Sequence, residues 1–323
     1  MSSNKILWIS ILQGWAMFLV VLGHCEAFTQ YQWCKDVCYG VHMPLFMFVS
    51  GGLFYITRIK KCWKWNDVAI DKLKRLGVPY LFFIAFAFGL KVLMASKVKN
   101  GVDVSLMGFL QGYVFPMNSA MKEMWFVAAL FLIMMAYPLY KWSLKSLSTA
   151  IPVLIIALAM PYFFTSYVGG GILNWQGAIR YFVFFYAGIL CFKYDVVNRL
   201  KMNRGGYLLV VAYLLICMYR KEHAVPVAFV GIAGFVWMCK RLSEKIPSAL
   251  STFRDYSFQI FLLGIYPQMF VELILMKKMT ELWMQPLLVV LSVLLGIYVP
   301  VVISKCVKRM DNKYFNMILG LKS

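Results

Sequence analysis

The sequence predicts an all-α, polytopic integral membrane protein with about ten transmembrane helices, and three observations support this fold class. The chain of 323 residues is 62% hydrophobic and 14% charged, whereas soluble domains carry about 25% charged residues. Its mean hydropathy is +0.73. A helix needs about 20 mainly apolar residues to cross a bilayer. Such stretches occupy residues 6–26, 39–57, 77–95, 123–140, 149–166, 177–193, 206–219, 224–239, 257–276 and 282–304.

The apolar stretches follow one another along the whole chain. The first, 6–26, is not followed by a small-residue cleavage site, so it predicts a retained span instead of a signal peptide. The seventh and eighth are short, and the count of ten depends most on them. Neither an internal repeat nor a low-complexity segment interrupts the series. We therefore expect one transmembrane domain over residues 1–323.

The net charge of +20 is distributed in a way that indicates a membrane orientation. With Met1 inside, the positive-inside rule assigns to the cytoplasm Lys5, residues 58–75, Lys141, Lys145, residues 193–204, residues 240–254 and the tail from Lys305. The opposite side then holds Lys35, Lys97, Lys99, Lys122, Arg220, Lys221, Lys277 and Lys278. This asymmetry predicts cytoplasmic termini and contact with anionic lipids, and it argues against nucleic acid as a partner.

The cysteines carry little functional information. Most lie within apolar stretches, where cysteine behaves as a small hydrophobe. Cys34 and Cys38 follow the first stretch and would be able to pair on an oxidising face. Their spacing also resembles half of a metal site, but no second half follows, so we expect no metal.

Polar side chains from six predicted helices lie towards one side of the membrane. They are His24 and Glu26 on the first, His42 on the second, Lys91 on the third, Glu123 and Trp125 on the fourth, Arg180 on the sixth, and Gln268 and Glu272 on the ninth. Each alone has a simpler interpretation, such as an interfacial histidine, a snorkelling cation or a member of the aromatic belt. Ionisable groups within spans usually face a cavity or a partner. Their shared depth predicts a polar cavity that opens outward.

Two further features lie nearer the cytoplasmic side. Gln13 precedes His24 by eleven residues, about three helical turns, so both share one helix face with about 16 Å between them; Ser10 lies near that face. This polar stripe suits a transport path or a substrate tunnel. Lys72 and Arg75 share another helix face, where they would bind phosphates jointly or form a basic collar against lipid headgroups.

The sequence resembles a known family in six segments that occur in the family's order. These are ILQGWAMFLVVLGH, VHMPLFMFVSGGLF, DKLKRLGVPY, MWFVAALFLIMMAYPL, RYFVFFYAGIL and YSFQIFLLGIYP. Over Leu7 to Pro267 the chain is similar to acyltransferase family 3, ten-span membrane enzymes that O-acylate extracytoplasmic glycans. It is especially similar to the fucose 4-O-acetylase-like subgroup.

The resemblance implies roles for individual residues. His24 matches the proposed catalytic base and His42 the second-span HxPLF motif. Lys72 and Arg75 match a basic pair associated with the phosphates of acyl-CoA. The matches also include Trp125 and Phe126, in an LWF-like segment. Three family positions differ: a basic residue is replaced by Gln13, an acidic one by Ser10, and a ninth-span histidine by Gly264.

A mechanism follows as a hypothesis. Acyl-CoA, most simply acetyl-CoA, would bind from the cytosol at Lys72 and Arg75, and its pantetheine arm would follow the stripe of Gln13. His24 would accept the proton of a sugar hydroxyl, while His42 or Arg180 would orient the acceptor or stabilise the oxyanion. The acceptor would be a glycan or a lipid-linked sugar, and we assign Glu123, Trp125 and Lys91 to its binding.

Two alternatives to the acyltransferase interpretation remain open at this point. A multi-span transporter or flippase would also contain a polar midline, although the chain shows no half-to-half repeat. A non-catalytic relative is the other alternative, because Gln13, Ser10 and Gly264 depart from the family pattern. The resemblance further implies the bacterial inner membrane as the location. The acyl group, the acceptor sugar and the oligomeric state stay open.

Overall fold

The computed structural model describes residues 4–93, 105–163, 171–199, 205–219, 225–246, 251–276, 278–279 and 281–321. Within these ranges all regular structure is helical, which confirms the predicted all-α class. Of the cations that the sequence assigns to the outer side, several lie outside the described residues, namely Lys97, Lys99, Arg220, Lys221 and Lys277.

The α-helices are numbered in chain order. They are α1 Asn4–Gly23, α2 Glu26–Thr29, α3 Gln32–Tyr39, α4 His42–Phe54, α5 Trp65–Lys72, α6 Val78–Leu93, α7 Leu106–Val114, α8 Trp125–Met135, α9 Tyr137–Ser143, α10 Leu147–Phe163, α11 Trp175–Lys193, α12 Val196–Arg199, α13 Gly206–Tyr219, α14 Val225–Lys245, α15 Ser251–Asp255, α16 Ser257–Leu263, α17 Ile265–Phe270, α18 Gln285–Arg309 and α19 Lys313–Ile318. Three π-helical segments cover Tyr55–Ile59, Leu73–Gly77 and Val271–Met276, and 3₁₀ turns cover Pro116–Asn118, Lys122–Met124, Ile172–Asn174 and Leu282–Met284.

Six helical segments in the described part of the chain are long and apolar enough to cross a membrane, which identifies a multi-pass membrane protein. They are Gln32–Ile59, Trp65–Leu93, Ile172–Lys193, Val225–Lys245, Ser257–Met276 and Gln285–Arg309. A seventh is present if Lys122–Met135 and Tyr137–Ser143, bent by 47°, form one span. Shorter apolar helices cover Leu7–Gly23, Leu147–Phe163 and Gly206–Tyr219. Every predicted stretch overlaps one of these helices, while the count of ten and the cytoplasmic termini stay predictions.

The chain divides into two compact units, each built from separated parts of the sequence. The first unit contains Met1–Ser50 and Cys191–Asp311, and the second contains Gly51–Leu190 and Asn312–Ser323. The single domain over residues 1–323 stays a prediction, because helices of one membrane domain can cluster in this way.

Helix α1 is central to the first unit because it is apolar on almost every side. It packs against α14, α15 and α16. Ile11, Leu12, Ala16 and Met17 on this helix are fully buried. A helix that is hydrophobic all round is expected to be surrounded by protein or lipid. The polar residues that α1 carries are therefore positioned by close neighbours.

Aromatic packing is extensive in the second unit, where Tyr140 is fully buried and its ring lies near four others. Its ring stacks on Phe182 with centroids 5.8 Å apart, and on Tyr186 at 6.1 Å. Gly51 of α4 lies directly against the backbone carbonyl of Phe185 of α11, and a Cβ atom at Gly51 would overlap that oxygen. The two helices can approach this closely only because residue 51 has no side chain.

We expect Gly51→Ala to destabilise the protein by about 1–3 kcal/mol or more, since overpacking forces a backbone shift. The measurement is thermal unfolding of the purified protein in detergent. Gly89→Ala is the matched control, because Gly89 of α6 has no atom within 4 Å of a Cβ position and alanine favours helix by about 1 kcal/mol. Equal losses in both variants would contradict the close approach at Gly51.

Candidate active site

His24 lies immediately beyond the C-terminal end of α1. Its backbone N–H donates to the carbonyls of Val20 and Val21, at 3.2 and 3.3 Å, in a last tightened turn. The side chain is half-buried. Among the described residues the imidazole has no hydrogen-bond partner. Both ring nitrogens of His24 are thus available for a substrate.

Three side chains hold the chain around His24. Gln268, which is 2% exposed, donates from Nε2 to the carbonyl of Val21 at 2.8 Å. Tyr39 donates its hydroxyl to the carbonyl of Gly23 at 3.2 Å. The carboxylate of Glu272 accepts from the backbone N–H of Glu26 at 3.4 Å. The last carbonyls of a helix lack partners within it, so these contacts fix where α1 ends.

Glu272, which contacts the backbone of Glu26, lies in a segment with π-helical backbone. It belongs to the π-helical segment Val271–Met276, which continues from α17. Short π-helical segments inside helices are frequently found at functional sites. Gln268 and Glu272 were identified from the sequence only as polar residues of the ninth span. The structure gives them a role in positioning the segment of His24.

His42 is the first residue of α4 and is 5% exposed. Its Nδ1 lies 2.8 Å from the backbone carbonyl of Cys38. Because a carbonyl oxygen only accepts, Nδ1 carries a proton, and in the neutral form of the ring Nε2 would then be the basic nitrogen. The Tyr39 ring lies edge-on to the imidazole, with centroids 4.9 Å apart. Tyr39 therefore connects the segments that carry His24 and His42.

Cys25 follows His24 but is poorly suited to act as a nucleophile. Its side chain is fully buried in an apolar cluster with Ala27, Val271 and Leu288. An apolar environment disfavours the charged thiolate. The thiolate is the reactive form of cysteine, so this residue serves packing. Cys34 and Cys38, which the sequence allowed to pair, are both free thiols.

Gln13 forms a contact inside the protein. Its Nε2 donates to the hydroxyl of Ser257 on α16 at 2.8 Å, and Ser257 is buried. From the sequence, Gln13 was predicted to contact the pantetheine arm of the acyl donor. The structure shows that its amide links α1 to α16, and a role towards the donor stays a prediction.

Close helix packing explains why residue 264 is a glycine. A Cβ atom there would lie 2.5 Å from the carbonyl of Ile260 and 2.7 Å from the carbonyl of Gly296 on α18. No larger side chain fits unless these helices separate. Glycine thus takes the place of the family's ninth-span histidine at a position where the backbone of α18 comes close.

Lys72 and Arg75 are brought together by Asp71, at the junction of α5 and the π-helical segment Leu73–Gly77. Lys72 Nζ lies 3.2 Å from Asp71 Oδ2, and Arg75 Nε lies 3.1 Å from Asp71 Oδ1. The Lys72 side chain is 12% exposed and that of Arg75 is 44% exposed. Arg75 is accordingly the member of the predicted pair that is open to a ligand.

Arg58 completes this cluster, which we call the Asp71 cluster: Arg58, Asp71, Lys72 and Arg75. Arg58 Nη2 binds Asp71 Oδ2 at 2.7 Å, and its guanidinium lies 4.0 Å from the centre of the Trp63 ring. Three cations around one carboxylate leave an excess of positive charge. Asp71 and the role of Arg58 were not identified from the sequence. Asp71 lies four residues before Arg75, and this spacing could have predicted their ion pair from the sequence. No local pattern in the sequence connects Arg58 to Asp71 or to Arg75.

A second polar region of the same unit surrounds the N-terminal end of α8. Lys91 of α6 lies within electrostatic range of Glu123 and Lys122. The Trp125 ring stacks on Tyr181 with centroids 5.6 Å apart, and Tyr181 directly follows Arg180. The structure thus gathers the residues assigned from the sequence to acceptor binding.

The two polar regions of this unit lie at opposite ends of α8. At its C-terminal end the indole N–H of Trp65 on α5 donates to the carbonyl of Met135 at 3.3 Å, near the Asp71 cluster. Trp125 begins the helix at the other end. An eleven-residue helix is about 15 Å long. Pairing of Arg180 with His42, which belong to different units, stays a prediction.

The apolar helices, which are long enough to span a bilayer, define a multi-pass membrane protein. Two histidines, His24 after α1 and His42 at the start of α4, form its candidate acid–base centre. The described residues contain no group of three or more side chains suited to a metal ion. The model of acyltransferase family 3, described as an acyltransferase domain, matches residues 6–305. The chain belongs to this family and is a membrane acyltransferase. No curated protein and no solved structure matches the chain.

Proposed function

We propose that this protein transfers an acetyl group, with succinyl as the alternative, from cytosolic acyl-CoA to a hydroxyl of an extracytoplasmic glycan or lipid-linked sugar. Membership of acyltransferase family 3 supports the reaction class. The observation that carries the proposal is that Tyr39 contacts both the carbonyl of Gly23, next to His24, and the imidazole of His42. The fucose 4-O-acetylase-like subgroup, ten spans with cytoplasmic termini, and the bacterial inner membrane are parts of the same proposal.

In this proposal His24 is the general base. Its imidazole accepts the proton of the acceptor hydroxyl while the hydroxyl oxygen attacks the thioester carbon. The carbon–sulfur bond then breaks, and the thiolate of CoA takes the proton back from the imidazolium. A basic Nε2 on His42 suits it to orient the acceptor hydroxyl, and Arg180 is proposed to stabilise the oxyanion.

The Asp71 cluster is proposed to hold the donor. Its excess positive charge suits the phosphate groups of CoA, and Arg75 is the exposed cation that would contact them. Lys72, which is mostly buried against Asp71, would act through its charge. Gln13 is proposed to guide the pantetheine arm. Glu123, Trp125 and Lys91 are proposed to bind the acceptor, for which their shared region at the start of α8 gives support.

The proposal is tested by incubating the protein, purified into lipid nanodiscs, with radiolabelled acetyl-CoA or succinyl-CoA and a glycan extract. Transfer of label to the glycan is the expected result, and the release of free CoA should match it. Binding of acyl-CoA without transfer to any acceptor would favour a non-catalytic member of the family. If neither binding nor turnover occurred with either donor, the proposed reaction would be wrong.

A further inference from the structure

Asn174 is a buried polar residue that no other part of the mechanism uses. It lies directly before α11, its side chain is 0% exposed, and neither Oδ1 nor Nδ2 has a hydrogen-bond partner. An amide offers two donor hydrogens and an acceptor oxygen, and each buried polar group left unpaired destabilises the fold. Among the described side chains, Asn174 alone has two buried polar atoms that are both unpaired.

The backbone at this position is also strained. Leu173 and Asn174 both have φ of +53°, in the left-handed region. Asparagine tolerates this conformation, but leucine does so only at a cost. Strained residues persist where the surrounding structure holds them, and they cluster at ligand-binding positions. The strain and the unpaired amide therefore coincide in the turn Ile172–Asn174.

Two glycines make room for this arrangement. A Cβ atom at Gly171 (φ +132°) would lie 2.6 Å from the indole nitrogen of Trp175. A Cβ atom at Gly177 would overlap the Asn174 amide. The amide consequently lies over the first turn of α11, where backbone N–H groups lack partners within the helix.

The turn Ile172–Asn174 packs against α8 and against the turn Pro116–Asn118. The start of α8 carries Trp125, stacked on Tyr181 of α11, and Glu123 precedes it. Binding sites for small polar ligands combine aromatic surface with a few placed amide, carboxylate or hydroxyl groups. A sugar suits this set, because its hydroxyls match the amide and the carboxylate, and its C–H faces match the rings.

We propose that Asn174 is a binding residue for the sugar acceptor, with Nδ2 donating to one hydroxyl and Oδ1 accepting from its neighbour. This assignment rests on the proposed acceptor class and adds a residue that recognises it. Because the amide is shielded from solvent, the turn Ile172–Asn174 opens to admit the sugar. Ile172, which is 60% exposed, forms its outward side.

Asn174→Gly separates this role from a purely structural one. Glycine adopts φ of +53° without cost and removes the unpaired amide, so the variant should unfold at a temperature equal to or above that of the wild type. A structural cap would predict a lower unfolding temperature, since losing a cap destabilises a helix. A lower temperature together with unchanged sugar binding would overturn the proposal.

The binding readout uses methyl α-fucoside and methyl α-glucoside, titrated against the protein in nanodiscs and followed by tryptophan fluorescence. We expect at least one sugar to saturate the wild type, and the dissociation constant to rise at least tenfold in Asn174→Gly. Asn198→Gly is the control, because Asn198 is exposed and bonds only Asp195 among the described side chains. Equal affinity in wild type and Asn174→Gly, or no saturable binding to the wild type, would contradict the inference.

This binding experiment is independent of acyl transfer. Sugar binding that depends on Asn174, without transfer of label from acetyl-CoA or succinyl-CoA, would leave the assignment of Asn174 intact and reject the proposed reaction. Transfer of label together with unchanged sugar affinity in Asn174→Gly would support the proposed reaction and reject the assignment of Asn174.

Discussion

His24→Ala is expected to lower acyl transfer at least 100-fold, because a positioned general base contributes about 10²–10⁴ to such reactions. The half-buried imidazole has no protein partner among the described residues, so its removal leaves the packing of α1 intact. The unfolding temperature and the affinity for acyl-CoA should therefore change little. The measurement is the rate at which label moves from acetyl-CoA to the glycan fraction.

Glu26→Ala is the matched control for this variant. Glu26 lies two residues further along with an exposed side chain, and only its backbone N–H contacts Glu272. Activity close to that of the wild type is expected. His42→Ala gives the complementary comparison, because His42 also has a basic Nε2. Full transfer by His24→Ala, with loss in His42→Ala, would assign the base to His42.

Asp71→Asn is expected to lower the free energy of unfolding by about 3–5 kcal/mol, since removing one partner of a buried ion cluster leaves the other charges unpaired. Arg58 is 8% exposed and depends on Asp71 for its counter-charge. Lys72 is held by the same carboxylate. The measurement is denaturant unfolding in detergent, followed by circular dichroism.

Asp67→Asn is the control, because Asp67 lies one turn earlier on α5 and is exposed. It makes no ion pair among the described residues, and a change within about 0.5 kcal/mol is expected. Adding Arg58→Met to Asp71→Asn should recover part of the lost stability, because the unpaired guanidinium is then absent. Similar losses in Asp67→Asn and Asp71→Asn would show that the cluster does not stabilise the fold.

The structure explains two residues that depart from the family pattern, Gln13 and Gly264, by their contacts. Gln13 donates to Ser257, a contact in which an uncharged amide needs no counter-ion inside the protein. Gly264 allows α18 to approach through Gly296. Both residues are thus fitted to their neighbours, and the histidine segment is held by other side chains, Tyr39 and Gln268.

The sequence by itself determined the helical class, the membrane setting and the family, and it singled out the two histidines as candidates. Hydropathy and helix length are local properties, so the apolar stretches could be identified without any tertiary contact. His24 and His42 stood out because few titratable groups end such stretches. The positions of Lys72 and Arg75 on one helix face also follow from local geometry.

Only the tertiary structure decided which groups meet. Arg58 binds Asp71 from thirteen residues away, Gln268 reaches Val21 across most of the chain, and Asn174 is buried without a partner. In a chain that is 62% hydrophobic, many helix faces are equally apolar, and hydropathy cannot choose among them. The choice depends on close packing, on glycines that let backbones approach, and on the need to pair buried polar groups, which exist only once the helices are assembled.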